Sequence, residues 1–599
     1  MNGREGRIRR VPAALAAAAA FAVGVTGCAN VPSGGRVVSG KPAERDQQAD
    51  DPYVRLIPAP PRNDWTPAQT VAGFLAAATS FDDDHRVARS YLVRPTSWQP
   101  GERPAVTVVR DRRAPEPVRQ NTAGTQATVK VAGSQLGVIG MDGQYVASPK
   151  QVAVTFELVR QPQGGWRITE LPGELSAGLL LTKSDLERTF RTLNLYFYAP
   201  DRRTLVPNGI FLPLVNRQQL PAQLVRALLG GPTSWLNGAV HSAFPRGTAL
   251  RSLTLDKGVA TVDLSRQARG GDPKMMSAQL GWTLRRLAEV RRLRLTIEGR
   301  AVVPAGGDEL QPVDAWPEND PDGPAVDRAP YAVGSAGHLS RLNGDLPQTV
   351  AANAAHELTV PAVSSDFQEV AGLNADRDRL LVGGLVGNAV NLRTLLTPGD
   401  RGRRFTPPVF DRNGTLWTVQ NTKDGSVLWS RPRGQGPARV RHWGLAGREV
   451  LAFEVARDGV RAAAIVKVDG DAQVQLGRIL RNPDGSLDVG SFLPLSSEIP
   501  TAEDLAWRNA DQLAVLGRKE PDETVMPYLV PVGGAPVISL GTGTLLGQTR
   551  RIAAAPGMPI LIGTRTPDGK DRICRQRNPR EQYSEWFCSI PGTDPTYPP

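Results

Sequence analysis

The chain has 599 residues, 40% of them hydrophobic and 22% charged, with a formal net charge of +12 that becomes +9 once residues 1–27 are set aside. The roughly 570 residues beyond that leader suggest three or so domains, and no later stretch is long and apolar enough for a membrane helix. A basic surface can favour anionic lipid or a wall polymer. No Lys/Arg cluster with interleaved aromatics is present, which excludes the usual nucleic-acid surface.

Arg4, Arg7, Arg9 and Arg10 precede an uncharged run from Ala13 to Val25. A basic start, a short apolar core and small residues at its end define a secretory signal. The core is shorter than the roughly 20 residues of a spanning helix, and it has no amphipathic face to bury. Val25-Thr26-Gly27-Cys28 resembles the bacterial lipobox, with Val25 in place of the commoner leucine. The resemblance implies cleavage before Cys28, which becomes an S-diacylglycerol, N-palmitoyl cysteine tethered to the lipid bilayer at the extracytoplasmic face of the cell membrane. Each buried methylene contributes about 0.8 kcal/mol, so two or more acyl chains anchor stably where one does not. Residues 28–63, rich in Gly, Pro, Ser and charge without periodicity, read as a flexible stalk. Export also places Cys574 and Cys588 in an oxidising compartment, where they form an even pair around a 13-residue insert. A disulfide is expected, with two free buried thiols as the alternative.

Residues 64–188 open with DWTPAQTVAGFLAAATS. Thr66 can cap a helix, Pro67 suits its first turn, and Val71, Phe74, Leu75 and Ala78 share a face. Alternating runs at 105–109, 127–133, 151–160 and 166–171 follow, the last two joined by a turn at Gln161–Gly165. A helix on an antiparallel sheet, an α+β domain, is expected. Asp82 to Asp84 beside His85 read as an exposed helix end, not a metal site.

Residues 190–305 give a strand (LNLYFYA) and a helix with Leu220, Leu224 and Leu228 on one face, stopped at Gly230-Gly231. Two strands then turn at Asp256-Lys257-Gly258, and a helix capped by Asp272 carries Met276, Leu280, Leu284 and Leu287. Leu293, Leu295 and Ile297 alternate in a last strand, so the order is β-α-β-β-α-β. YFYAPDRRTLVP, LLGGP, SAFPRGTAL, GVATVDLS and LRLTIEGR together resemble the GerMN domain. That family carries no catalytic residues; caps, turns and core explain these motifs.

Residues 306–330 are acidic and rich in Pro and Gly. Glu318, Asp320, Asp322 and Gly323 faintly echo a calcium loop, but Ala329 stands where an EF-hand needs glutamate, and a linker is expected. From 331 to 599 the chain repeats an apolar residue, a polar turn and an alternating strand, starting at Leu373, Phe410, Val455, Trp507 and Ala554, with separations of 37, 45, 52 and 47. Such periods suit propeller blades, about six of them over this length; a β-sandwich pair is the rival.

This order of leader, stalk, α+β domain, GerMN-like domain and propeller resembles the LpqB family of actinobacterial lipoproteins. The resemblance implies action on the extracytoplasmic domain of a sensor histidine kinase, in MtrA–MtrB-type two-component signalling for envelope or cell-division control. No residue pattern shows that partner. The five histidines, at 85, 241, 338, 356 and 442, lack metal spacing, and neither a nucleophile elbow nor a P-loop occurs. Gly541–Gly547 reads as a turn. The expectation is a non-enzymatic accessory protein with no cofactor and no catalytic or metal residues; the alternative is a wall-polymer binder or a glycan hydrolase acting through a pair of carboxylates.

Overall fold

The computed structural model describes residues 58–214, 218–323, 329–334, 337–351, 358–386, 389–399, 402–541, 547–578 and 585–599. The leader, Cys28 and most of the expected stalk lie outside these residues, as does most of Gly541–Gly547.

The first helix, Pro67–Ala77, begins in a capping box: the Thr66 side chain accepts from the Gln69 amide while the Gln69 side chain accepts from the Thr66 amide. Val71, Phe74 and Leu75 are buried, with Phe74 edge-on to Trp98 and Phe156. Each such side chain contributes about 1.5–3 kcal/mol on burial. Beneath the helix runs a sheet in the order Trp166–Glu170, Tyr145–Arg160, Gln126–Ile139, Ala105–Arg112, Gly178–Thr182. The last strand is parallel to its neighbour and passes through a second capping box, Thr182 with Asp185, into the helix Lys183–Thr189. Neither element stands out in the sequence, because LLLT and KSDLERT are too short for either period. Asp84, in the acidic run, pairs with Arg89 at 2.6 Å, and His85 is buried between the Phe81 and Trp98 rings.

The second domain has the two expected helices, Leu220–Leu229 and Pro273–Leu284, the latter capped by the Asp272 carboxylate accepting from the Lys274 and Met275 amides. Its order departs from β-α-β-β-α-β. An unforeseen strand, Leu205–Pro213, pairs antiparallel along all of Phe190–Tyr198, and this hairpin stands apart from the sheet of Leu250–Asp256, Val259–Leu264 and Arg292–Ile297. Pro207, Asn208 and Gly209 hide the alternation. Asn208 is buried, but its amide donates to Thr233 Oγ1 at 2.9 Å and its oxygen accepts from the Thr233 amide at 2.7 Å.

The segment expected as a linker from 306 is partly built into this domain. Leu310–Pro312 pairs with Arg292–Ile297, and the Trp282 indole N–H donates to the Trp316 carbonyl at 2.9 Å. Gly281 permits the approach: a Cβ there would lie 3.0 Å from the Val313 carbonyl oxygen. The far side of the helix is thus sealed, so Ser277, Gln279, Trp282 and Thr283 are buried along with the apolar face.

The third domain is a six-bladed propeller. Its inner strands, Thr359–Val363, Val409–Phe410, Val450–Val455, Thr501–Asn509, Gln548–Ala553 and Thr593–Thr596, touch in that cyclic order. Thr593–Thr596 pairs with Tyr331–Val333, so the end of the domain closes its first blade and no edge is left open at that seam. The blade turns after the inner strands are built alike. Asp411 accepts from the Asn413 and Thr415 amides, and Asp458 from those of Val460 and Arg461. The repeat beginning at Leu373 is out of phase: Asn374 serves the turn between the second and third strands of its blade, and the equivalent inner-strand turn starts at Val363, 47 residues before Phe410.

The domains interlock. The GerMN-type core is continuous with that of the fourth and fifth blades. Asp511 accepts from Asn194 at 2.8 Å and pairs with Arg286; Arg478 reaches the Asn237 carbonyl at 2.7 Å. A Cβ on Gly209 would lie 2.6 Å from Gly533 Cα, so both glycines are needed for the two backbones to meet. The first domain joins through Lys183 with Glu498 at 3.0 Å and through Thr233 Oγ1 donating to Gln144 at 3.0 Å.

Candidate functional site: the propeller channel

Three inner strands contribute a charged residue to the channel: Glu454 in VLAFEV, Asp504 beside Glu503 in TAEDLAW, and Arg551 beside Arg550 in QTRRIA. The ring order makes these strands neighbours. Arg551 donates to Asp504 Oδ1 at 2.6 Å, and the Ile552 amide donates to Oδ2 at 2.8 Å. Burial pushes the Asp504 carboxyl up, while Arg551 and the Ile552 amide pull it back. Among the described residues, Glu454 has no such partner. Burial raises its pKa to about 8, Asp504 adds to the rise, and Arg551 opposes it.

Beside this triad lies a cavity of about 60 Å³, lined by Glu454, Arg457, Trp507, Arg551, Thr596 and Tyr597 among others. Tyr597 donates to the Pro559 carbonyl at 2.8 Å, and Arg457 donates to the Pro598 carbonyl at 3.1 Å. Trp507 also lines a second, smaller cavity with Asp322, Asp458 and Arg461. Arg461 is held there by Asp458 at 2.6 Å and donates to the Ala510 carbonyl at 2.8 Å. Asp322, the last carboxylate of the faint calcium echo, therefore sits against the propeller, and burial beside Asp320 and Asp511 raises its pKa to about 6. Glu318, from the same echo, pairs with Lys274 at 3.1 Å. What the site can do chemically is hold backbone carbonyls through Arg457 and keep a carboxyl protonated near neutral pH. Sequence reading missed Glu454, Asp504 and Arg551, although a charged residue inside an inner strand is the signal that would have found them.

The other sequence candidates lie elsewhere. Cys574 and Cys588 are joined by a disulfide between the last two strands of the sixth blade, whose inner strand carries Arg551. The first domain has its own cleft of about 830 Å³, lined by Arg94, Arg119, Asn121, Glu157, Thr169 and Glu170 among others. Among the described residues, no group of three or more His, Cys, Asp or Glu is placed to hold a metal ion.

An α+β domain, a GerMN-type domain and a six-bladed propeller, locked together, define a multidomain class built around a closed β array. Residues 60–187 match the family described as "Lipoprotein LpqB, N-terminal domain", residues 194–303 the one described as "Sporulation and spore germination", and residues 337–565 "Lipoprotein LpqB beta-propeller domain". Lipoprotein LpqB of Thermobifida fusca is 33% identical, over 99% of this chain and 100% of its own; that of Streptomyces avermitilis is 32% identical over the whole of both. The chain belongs to the LpqB lipoprotein family. Among solved structures, TolB from Acinetobacter baumannii is similar at 13% identity with a TM-score of 0.35, over 45% of this chain and 66% of that one.

Proposed function

We propose that this chain is a non-enzymatic accessory lipoprotein, tethered through acylated Cys28 to the outer face of the cell membrane, that contacts the extracytoplasmic domain of a sensor histidine kinase of the MtrA–MtrB type. The observation that carries the reading is the full-length likeness to LpqB lipoproteins, whose name agrees with a lipobox ending at Cys28. The interlocked domains support it, because domains that share one core present a continuous surface to a partner. Confinement to the membrane raises the effective concentration of a membrane partner, so weak contacts are occupied. Unequal affinity for two kinase states then shifts its signalling. The contact surface on this reading is the propeller end carrying the turns Asn374–Arg379 and Thr566–Lys570. Photo-crosslinkers at those turns in the lipidated protein should capture a kinase from membranes; labelling of no kinase from either turn overturns the reading.

A second reading, binding of a wall polymer, is favoured by the polar cleft of about 830 Å³ in the first domain, with Arg94, Arg119, Glu157 and Glu170 facing it. Calorimetry with peptidoglycan fragments separates the two: heat lost on Arg119→Ala supports the polymer, and absence of heat removes it.

A further inference from the structure

We infer that the mouth of the propeller channel is a binding site for an extended, proline-bearing peptide segment, and that the chain's own Pro595–Pro599 occupies it. This inference is independent of the kinase reading. The closing strand ends at Thr596, and the next residues turn into the mouth instead of away from it. There they are held as a ligand would be: Tyr597 fills a slot and donates to the Pro559 carbonyl at 2.8 Å, and Arg457 donates to the Pro598 carbonyl at 3.1 Å.

Two features separate this from ordinary packing of one segment on another. The indole N–H of Trp507, with 6% of the residue exposed, is buried without a hydrogen-bond acceptor among the described residues while its ring lines the cavity. A buried donor left unmade costs about 1–3 kcal/mol, and a carbonyl from a longer or shifted peptide in the remaining space of about 60 Å³ would satisfy it. The second feature is chemical. Proline has no amide N–H, so Pro595, Pro598 and Pro599 bring carbonyls into the mouth without adding donors that must be matched. Segments of this kind also lose little chain entropy on binding, because they are already extended. The mouth offers donors (Arg457, Trp507) to a ligand that is mainly acceptor, and that complementarity selects the class.

The probe is a labelled peptide of the chain's own residues Asp594–Pro599, followed by fluorescence anisotropy. A chain shortened after Thr596 keeps its closing strand and should bind the peptide at least tenfold more tightly than the full chain, whose tethered segment competes at high effective concentration. Arg457→Ala in the shortened chain should lower that affinity about tenfold, and so should a peptide with its prolines replaced by alanine. Equal binding by full and shortened chains, or no binding by a shortened chain that melts like the parent, overturns the proposal. A second measurement does not depend on the shortened chain folding. In the full chain, excess unlabelled peptide should accelerate hydrogen exchange at the Tyr597 amide; unchanged exchange at saturating peptide also overturns it.

Discussion

Glu454→Gln isolates the cost of a carboxylate in the channel. The folded-state pKa of Glu454 is raised from 4.5 to about 8, chiefly by burial and then by Asp504, with Arg551 opposing. A raised acid pKa means that the fold holds a proton which the unfolded chain releases, so stability falls as pH rises from about 4.5 to about 8 and is constant outside that window. At about 1.36 kcal/mol per pKa unit, the cost is near zero below pH 4.5 and about 3 kcal/mol at pH 7. Glutamine keeps the shape and cannot ionise. The variant should therefore match the parent at pH 4.5 and melt higher at pH 7 and 8, by about 2–4 °C for each kcal/mol recovered in a unit of this size. Asp322, raised to about 6 by burial and its acidic neighbours, titrates in the same direction. His85, lowered to about 4 chiefly by burial, titrates in the opposite one, and both cancel between the two chains. Scanning calorimetry from pH 4.5 to 8.5 reads the difference. A pH-independent difference refutes the burial argument, and a variant less stable than the parent at pH 8 shows that the Glu454 charge is compensated.

Replacing Cys574 and Cys588 together by serine opens a loop of sequence separation 14 and should cost about 3 kcal/mol, read as a lower melting temperature; thiol labelling of the denatured, unreduced parent should find neither cysteine. Asp511→Ala removes the acceptor shared by Asn194 and Arg286, so protease should cut sooner within 306–330 while the β-rich circular dichroism persists; unchanged cutting would mean the domain seam does not depend on this contact. Gly281→Val places side-chain atoms against the Val313 carbonyl and should destabilise the GerMN-type domain by about 1–3 kcal/mol in urea melts. Cys28→Ser should leave the uncut precursor, and mass spectrometry of the native protein should show an acylated Cys28 as its first residue.

Local signals in the sequence carried the helices. Thr66 with Pro67 and Asp272 with Pro273 announce their own termini, because a cap is satisfied within four residues. The strand Leu205–Pro213 was not legible, since Pro207, Asn208 and Gly209 break its pattern and the partner that makes Asn208 tolerable, Thr233, lies beyond a helix. For the same reason 306–316 reads as a linker: Trp316 finds Trp282 only in three dimensions. The blade period showed through, but one start was misphased. An Asn or Asp side chain that accepts two following amides looks the same in either turn of a blade, and Asn374 uses the chemistry of Asp411 one turn later. Of the channel, the charges were visible and their meeting was not, because Glu454, Asp504 and Arg551 come together only when the ring order is known.

The proposed action of this membrane-tethered LpqB-family protein on a sensor kinase is read from the phosphorylated fraction of the cognate response regulator. The measurement compares three strains: the parent, one lacking the protein, and one making Cys28→Ser at matched amounts. The fraction should change in the strain lacking the protein and change in the same direction with Cys28→Ser. An unchanged fraction in both would contradict it.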